Sequence, residues 1–314
     1  MRVLVTGGAG FIGSHLVDAL VARGDEVVVL DDLSTGRREN LAQAGEGARL
    51  VVGTVADYET VLAAAQGCEL IYHEAAVASV QRTVEFPVET NAINLGGTLN
   101  VLESARAVGA RRVVFAGSAA AYGDNPEMPL REDAKPRPLS PYAVEKLSSE
   151  HYMKVWAGIY GLETVTLRYF NVFGPRQDPS SPYSGVISIF VDRLLRDLVP
   201  TTYGDGEQTR DFVYVGDVVQ ANLLAGTRAG VGGQVFNIAR GERTTLNQLY
   251  ATLRDLIGGP ERPNLADARA GDIRHSLADI GAARERLGYA PEVSVAEGLA
   301  RLLAAVRMER AAQA

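Results

Sequence analysis

The stretch "RVLVTGGAGFIGSHL", residues 2–16, decides the fold. An apolar run (Val3, Leu4, Val5) leads directly into Gly7, Gly10 and Gly13, and an amphipathic pattern begins behind them. Glycines at this spacing, at the mouth of a helix, let backbone approach a diphosphate whose charge then sits at the positive helix end. Spacing alone decides little in a chain with 33 glycines among 314 residues; the strand before and the helix after carry the reading. The next apolar run, "EVVVLDD", ends on Asp31, about 20 residues beyond the loop, where a carboxylate takes the adenosine ribose hydroxyls and repels a 2'-phosphate. NAD is therefore expected rather than NADP. Asp32 is read as solvated, and Arg37 and Arg38 as too far along to clamp a phosphate.

Further on, the runs "ELIYHEAA", "RRVVFAGS", "ETVTLRYFN" and "GQVFNIA" alternate with amphipathic stretches, several of which close on Gly24, Gly67 and Gly109. Runs rich in Val, Ile and Leu that do not alternate with polar residues are strands covered on both faces. The fold class is therefore α/β, a doubly wound parallel (Rossmann) sheet with a smaller C-terminal α/β substrate part. Residues 1–171, with about 212–239, are assigned to the NAD-binding part. Residues 172–211 and 240–314, where Pro, Gly and Arg break the alternation, are assigned to the substrate.

Composition excludes several classes of function. The formal charge is -7 with a pI near 5.3, and arginines are scattered singly or in pairs, so nucleic acid is not an expected partner. No apolar run approaches the about 20 residues that span a bilayer, and the N-terminus turns glycine-rich too early for a secretory signal. A single cysteine, Cys68, rules out internal disulfides and fits a reducing cytoplasm. Four scattered histidines give no metal-ligand spacing, so no metal is expected; His73 reads as a buried, satisfied residue.

The chemistry is carried by "SPYAVEKLSSEHY", residues 140–152. Tyr142 and Lys146 share one helix face, which by spacing alone describes a solvated surface. The segment "VVFAGSAAAYGD" changes that, because it reads as a strand ending at the C-terminal edge of the sheet, where ligands of such folds bind, and it puts Ser118 there. Ser118, Tyr142 and Lys146 then form a proton-handling group. A tyrosine with a pKa near 10 is a poor base at neutral pH, but an adjacent ammonium and a positive nicotinamide favour its phenolate. Lys146 is expected to lower the Tyr142 pKa and hold the nicotinamide ribose, and Ser118 to bond the reacting oxygen.

The glycine loop, "HEAA", "GSAAAYGD", "SPYAVEK" and "LRYFNVFGPRQDP", in this order, resemble the extended short-chain dehydrogenase/reductase family and, within it, the nucleotide-sugar epimerases; the resemblance spans residue 2 to about residue 300. It implies cofactor contacts at Phe11, Ile12, Leu33, Ser34, Thr54, Val55, Ala75, Ala76, Asn94, Tyr169 and Phe170. It implies substrate contacts at Ser79, Asn171, Val186, Tyr203, Arg210, Arg269, Asp272 and Ser276, with the two arginines and Asn171 on a diphosphate, Asp272 on the uridine ribose and Tyr203 on the uracil. Related dehydratases carry an Asp-Glu pair just after the catalytic serine; here Ala119, Ala120 and Ala121 follow, which leaves redox-neutral epimerisation at C4 of a UDP-hexose. The small Ser276 resembles an open gate that admits N-acetyl sugars, implying UDP-GlcNAc/UDP-GalNAc with UDP-Glc/UDP-Gal beside them. Ala119 and Ala120 depart from the N-acetyl branch. Thr54 stands where an acid commonly meets adenine, leaving that contact to backbone around Val55. A UDP-glucuronate 4-epimerase and a non-catalytic NAD-binding sensor remain the alternatives. The resemblance also implies a homodimer in which helices 92–108 and 141–160 of two copies form a four-helix bundle.

Overall fold

The computed structural model describes residues 1–178, 185–268 and 273–313. The first half runs β1 (Arg2–Thr6), α1 (Phe11–Ala22), β2 (Glu26–Asp31), β3 (Ala48–Val52), α2 (Tyr58–Ala65), β4 (Leu70–His73), α3 (Val80–Glu85), α4 (Pro87–Asn91), α5 (Gly97–Val108) and β5 (Arg112–Ser118). Next come α6 (Pro141–Tyr160), β6 (Glu163–Tyr169), β7 (Asn171–Phe173), α7 (Val186–Leu194), β8 (Thr201–Tyr203), β9 (Thr209–Arg210) and β10 (Phe212–Tyr214). The chain closes with α8 (Val215–Thr227), β11 (Gln234–Ile238), β12 (Thr244–Thr245), α9 (Leu246–Ile257), β13 (Asn264–Ala266) and α10 (Val295–Gln313). Among the described residues no helix is long and apolar enough to cross a membrane.

Seven parallel strands form the central sheet in the order β11-β6-β5-β4-β1-β2-β3. The inner strands are buried on both faces, whereas the edge strand β3 is partly exposed, and the side chains of each inner strand divide by parity. Val3 and Val5 enter one core with Leu16 and Leu20 of α1 and Val218 and Ala221 of α8. Leu4 enters the opposite core with Val61 of α2, Val101 of α5 and Met153 of α6. This two-sided burial explains why the strands read as unbroken apolar runs. The strand order reverses between β1 and β4, and the crevice beyond the carboxyl ends of those strands is the ligand position of a doubly wound sheet.

The C-terminal half adds a third core under α7, α9 and α10, built on Phe190, Leu249, Leu253 and Leu302. Three two-stranded pairs accompany it: β7 with β10, β8 with β13 and β9 with β12. Asp211, between β9 and β10, is fully buried. Its carboxylate accepts the backbone N–H groups of Ala278, Arg240 and Gly241 at 3.0–3.2 Å, which ties three loops to one point.

Candidate active site

A cleft of about 400 Å³ lies over the switch point. Its floor is the β1–α1 loop. Gly7 has φ +68°, and a Cβ there would stand 2.7 Å from Ala75 Cα and N, so only glycine fits the turn. Gly13 packs so closely on the loop that a Cβ would lie 2.2 Å from the Gly7 carbonyl oxygen. The helix behind, α1, has Gly10 at its N-cap, with no side-chain cap and no acidic residue in the first turn. Its leading N–H groups are thus left for an anion. At the far end Asp31 accepts the N–H of Ala9 and of Leu33, both at 2.9 Å, and lines the cleft with Asp32, Ser34 and Thr35. Burial raises the Asp31 pKa, and those two N–H bonds pull it back. A glycine cradle, an uncapped helix end and a carboxylate in place of a cation fit NAD and disfavour a 2'-phosphate.

At the chemical end, Ser140 caps α6 by accepting the Ala143 N–H, and Pro141 opens its first turn. This capping fixes where Tyr142 emerges, with Lys146 one turn later on the same face. Ser118 ends β5, and its Oγ accepts the Ala120 N–H at 3.1 Å, which leaves its own hydrogen for the Tyr142 phenol to which it is bonded. Lys146 Nζ donates to the Ala116 carbonyl at 2.8 Å and sits 4.8 Å from the Phe115 ring centroid and 5.9 Å from that of Tyr142. Burial drops the Lys146 pKa to about 8, and the charges of Glu74 and then Glu145 hold it from falling further. For Tyr142 the outcome differs from the sequence expectation. Burial outweighs the Ser118 hydrogen bond, and the carboxylates Glu145 and Glu74 add to it, so the phenol pKa is raised above its ordinary value by the protein's own groups.

His73 is fully buried and its ring is satisfied on both sides. Thr98 gives its hydroxyl proton to the Asn94 carbonyl at 2.7 Å, so it can only accept from His73 Nε2 at 3.1 Å, which puts the ring proton on Nε2. Nδ1 then accepts from Thr6 at 2.7 Å, and burial holds the pKa down at about 3. The residue is a neutral structural link.

The cleft lining brings together Gly7, Gly10, Phe11, Ile12, Gly13, Asp31, Ser34, Val55, Ala75, Ala76, Ser118, Tyr142, Lys146, Tyr169 and Phe170 of the expected set. Three expected cofactor contacts lie elsewhere. Leu33 adopts φ 60° and packs against the hydrophobic core, its N–H bonded to Asp31. Thr54 sits between Gly53 and Val55, which face the cleft; its own hydroxyl accepts the Ala56 N–H. The Val55 carbonyl is taken by Asn100 Nδ2 at 2.9 Å. Asn94 lies on a π-turn, Ala92–Gly96, and is 3% exposed. Its amide bonds Val77 through both backbone groups and donates to Glu145 at 2.6 Å, so it shapes the loop beside the cleft from behind. Glu74 and Val77, in the loop that follows His73, and Gln177 also line the cleft, though none was named as a contact from the sequence.

The expected substrate residues gather less completely. Ser79 caps α3 by accepting the Arg82 N–H. Asn171 lies exposed on β7, and Val186 opens α7 against the third core. Tyr203, Arg210 and Ser276 are drawn together: Gln208 Nε2 bonds the Tyr203 carbonyl at 2.6 Å, Arg210 Nη1 bonds the Thr209 carbonyl at 2.9 Å, and the Ser276 N–H bonds that same carbonyl at 3.1 Å. Arg269 and Asp272 lie outside the described residues. Among the described residues no group of three His, Cys, Asp or Glu could hold a metal ion.

A glycine cradle at the switch point of a doubly wound sheet, with a Ser-Tyr-Lys group at the same edge, defines a nicotinamide-dependent enzyme of the dehydrogenase/reductase type. The model of the NAD dependent epimerase/dehydratase family matches residues 3–239, and the chain belongs to that family. Over 305 residues it is 43% identical to the UDP-glucose 4-epimerase of Mycolicibacterium smegmatis, covering 96% of this chain and 97% of the relative. Among solved structures it is similar to UDP-glucose 4-epimerase of Thermotoga maritima with UDP-glucose, at TM-score 0.94 and 41% identity, covering 99% and 100% of the two chains. It is also similar to UDP-N-acetylglucosamine 4-epimerase of Methanobrevibacter ruminantium in complex with UDP-N-acetylmuramic acid, at TM-score 0.94 and 38% identity over 98% of each chain.

Proposed function

We propose that this protein is an NAD-dependent UDP-hexose 4-epimerase, acting on UDP-GlcNAc/UDP-GalNAc and UDP-Glc/UDP-Gal. The observation that carries the reading is the Ser118–Tyr142–Lys146 group in one cleft with the glycine loop. Gly7, Gly10, Phe11, Ile12 and Gly13 hold the diphosphate of NAD, Asp31 its adenosine ribose, and Lys146 its nicotinamide ribose. Bound NAD supplies the hydride acceptor and donor for C4 and a positive ring beside Tyr142. Tyr142 Oη takes the proton of the C4 hydroxyl and later returns it. Lys146 as ammonium favours the phenolate against burial, and the Ser118 hydrogen, given to the Tyr142 phenol in the structure, turns to the reacting oxygen. Ala119, Ala120 and Ala121 offer no acid or base to expel water from the sugar, which leaves epimerisation rather than elimination as the outcome. The substrate is held by the described parts of residues 172–211 and 240–313, with Arg210 on the diphosphate and the small Ser276 leaving room for an N-acetyl group.

Two further properties go with this reading. A homodimer is supported by α6, which exposes Val144, Tyr152, Val155 and Ile159 along one stripe, Ile159 at 69%. A second copy of α5 and α6 would cover it. A cytoplasmic location agrees with the lone, buried thiol of Cys68. The test of the activity is competition: purified protein with UDP-Glc, UDP-GlcNAc or UDP-GlcA and no added cofactor. Conversion of the first two, with UDP-GlcA turned over poorly or not at all, is the expected result; no conversion of any UDP-hexose sinks the proposal.

A further inference from the structure

Beside the reacting group the cleft holds a carboxyl, Glu74, with no role in the reading above. Glu74 follows β4 and lines the cavity with Ser118, Tyr142 and Lys146. Its N–H is anchored to the Thr6 carbonyl of β1 at 3.1 Å. Its Oε1 accepts the Tyr169 hydroxyl at 2.8 Å, and that hydroxyl accepts from Asn222 Nδ2 at 2.7 Å. The Asn222 amide is fixed in turn on the Val218 carbonyl at 3.0 Å. With a donor locked behind it, the phenol must give its proton forward, and its acceptor is best filled by an ionised carboxylate. Tyr169 is also the register partner of Ser118 across β5 and β6, so the tether reaches the reacting edge of the sheet.

We propose that Glu74 is a positioning residue of the proton-transfer group: its carboxylate, fixed by Tyr169 and Asn222 in the same cavity, acts across the cleft without a direct ion pair to keep Lys146, whose Nζ donates to the Ala116 carbonyl, an ammonium at neutral pH. What the ammonium is for depends on the epimerase reading; that Glu74 holds it charged does not. The other titratable groups around Lys146 are accounted for. His73 on β4 is neutral, as its hydrogen bonds require. Glu145, the neighbour on α6, is turned out of the cleft onto Thr90 at 3.1 Å and Asn94 at 2.6 Å. Tyr142 and Tyr169 are phenols of raised pKa, and Asp31 and Asp32 line the opposite end of the cleft. The electrostatics agree in direction. Burial lifts the Glu74 pKa to about 7 while Lys146 pulls it back, and Glu74 is the largest influence holding Lys146 up, so the two charges support each other.

Lys135, Lys146 and Lys154 are the chain's three lysines, so Lys146 can be followed by NMR of protein labelled with ¹³C at lysine Cε. In NAD-saturated, full-length protein, Glu74→Gln keeps an acceptor for Tyr169 but loses the charge. The Lys146 titration midpoint should fall by about one pH unit or more, and Glu145→Gln should move it less. The alkaline limb of kcat should shift to lower pH by the same amount in Glu74→Gln, a change that a purely structural role does not produce. In the wild type, the Lys146 resonance should show a second, smaller inflection below its own midpoint as Glu74 ionises. A single-step wild-type titration, or a folded Glu74→Gln protein with an unmoved Lys146 midpoint, overturns the proposal whether or not any sugar is converted.

Discussion

Replacing Gly13 by alanine tests the cofactor end of the cleft. The added Cβ would lie 2.2 Å from the Gly7 oxygen, 2.9 Å from the Gly7 carbonyl carbon and 2.9 Å from Gly8 Cα. All three are backbone atoms, so no rotamer change relieves the clash. Comfortable contact begins near about 3.5 Å, so the loop and the first turn of α1 must part by roughly 1 Å. That strain costs about 1–3 kcal/mol of stability. It also displaces the N–H groups assigned to the NAD diphosphate, and a misplacement of about 1 Å at a polar site is worth on the order of 100-fold. The expected result is an NAD Kd raised about 100-fold, equal to about 2.7 kcal/mol, measured by isothermal titration on protein stripped of cofactor. Gly158→Ala, at a site where a Cβ meets nothing within 4 Å, is the control and should leave the Kd unchanged. A Gly13→Ala protein that binds NAD within threefold of wild type would refute the placement of the diphosphate.

Two other outcomes follow from particular residues. Asp211 has its pKa raised by burial from 3.8 to about 6, so the folded state binds the proton more tightly between those values and this group's contribution to stability falls as pH rises through them. The stability gap between wild type and Asp211→Asn, from urea midpoints, should therefore narrow between about pH 4 and pH 6; a constant gap contradicts the burial argument. Val155→Glu with Ile159→Glu should convert a particle of twice the 33.5 kDa chain mass to one of 33.5 kDa in light scattering; a wild type that already runs as a monomer removes the bundle.

Much of the fold could be read from the sequence because parallel strands buried on both faces leave unbroken Val, Ile and Leu runs, and because the β1–α1 loop is glycine where no Cβ fits. Tyr142 and Lys146 were legible as a site only together with Ser118, whose strand ends at the same sheet edge; locally, Ser140 and Pro141 set the start of α6. The misplaced residues depend on finer geometry. Thr54 is kept out of the cleft by a turn that it opens, its carbonyl accepting the Asp57 N–H at 3.3 Å and its hydroxyl the Ala56 N–H, while its neighbours Gly53 and Val55 line the cleft. Leu33 turns to the core because of its left-handed backbone, which no spacing announces. Asn94 is turned onto Val77 and Glu145 from within a π-turn. Glu74 was invisible as a functional residue because its partners, Tyr169 and Asn222, are far along the chain and meet it only once β4, β6 and α8 have packed.

The most direct test of the central claim, that Tyr142 moves the proton in a C4 epimerisation, is the rate at which wild type and Tyr142→Phe interconvert UDP-GlcNAc and UDP-GalNAc, followed by proton NMR with no cofactor added. The variant's NAD content is measured on the same sample. Wild type should reach a mixture of the two sugars, and Tyr142→Phe should lose at least about 100-fold in rate while retaining NAD, the loss typical of removing a general base. A phenylalanine variant that holds NAD and epimerises at the wild-type rate would contradict that claim.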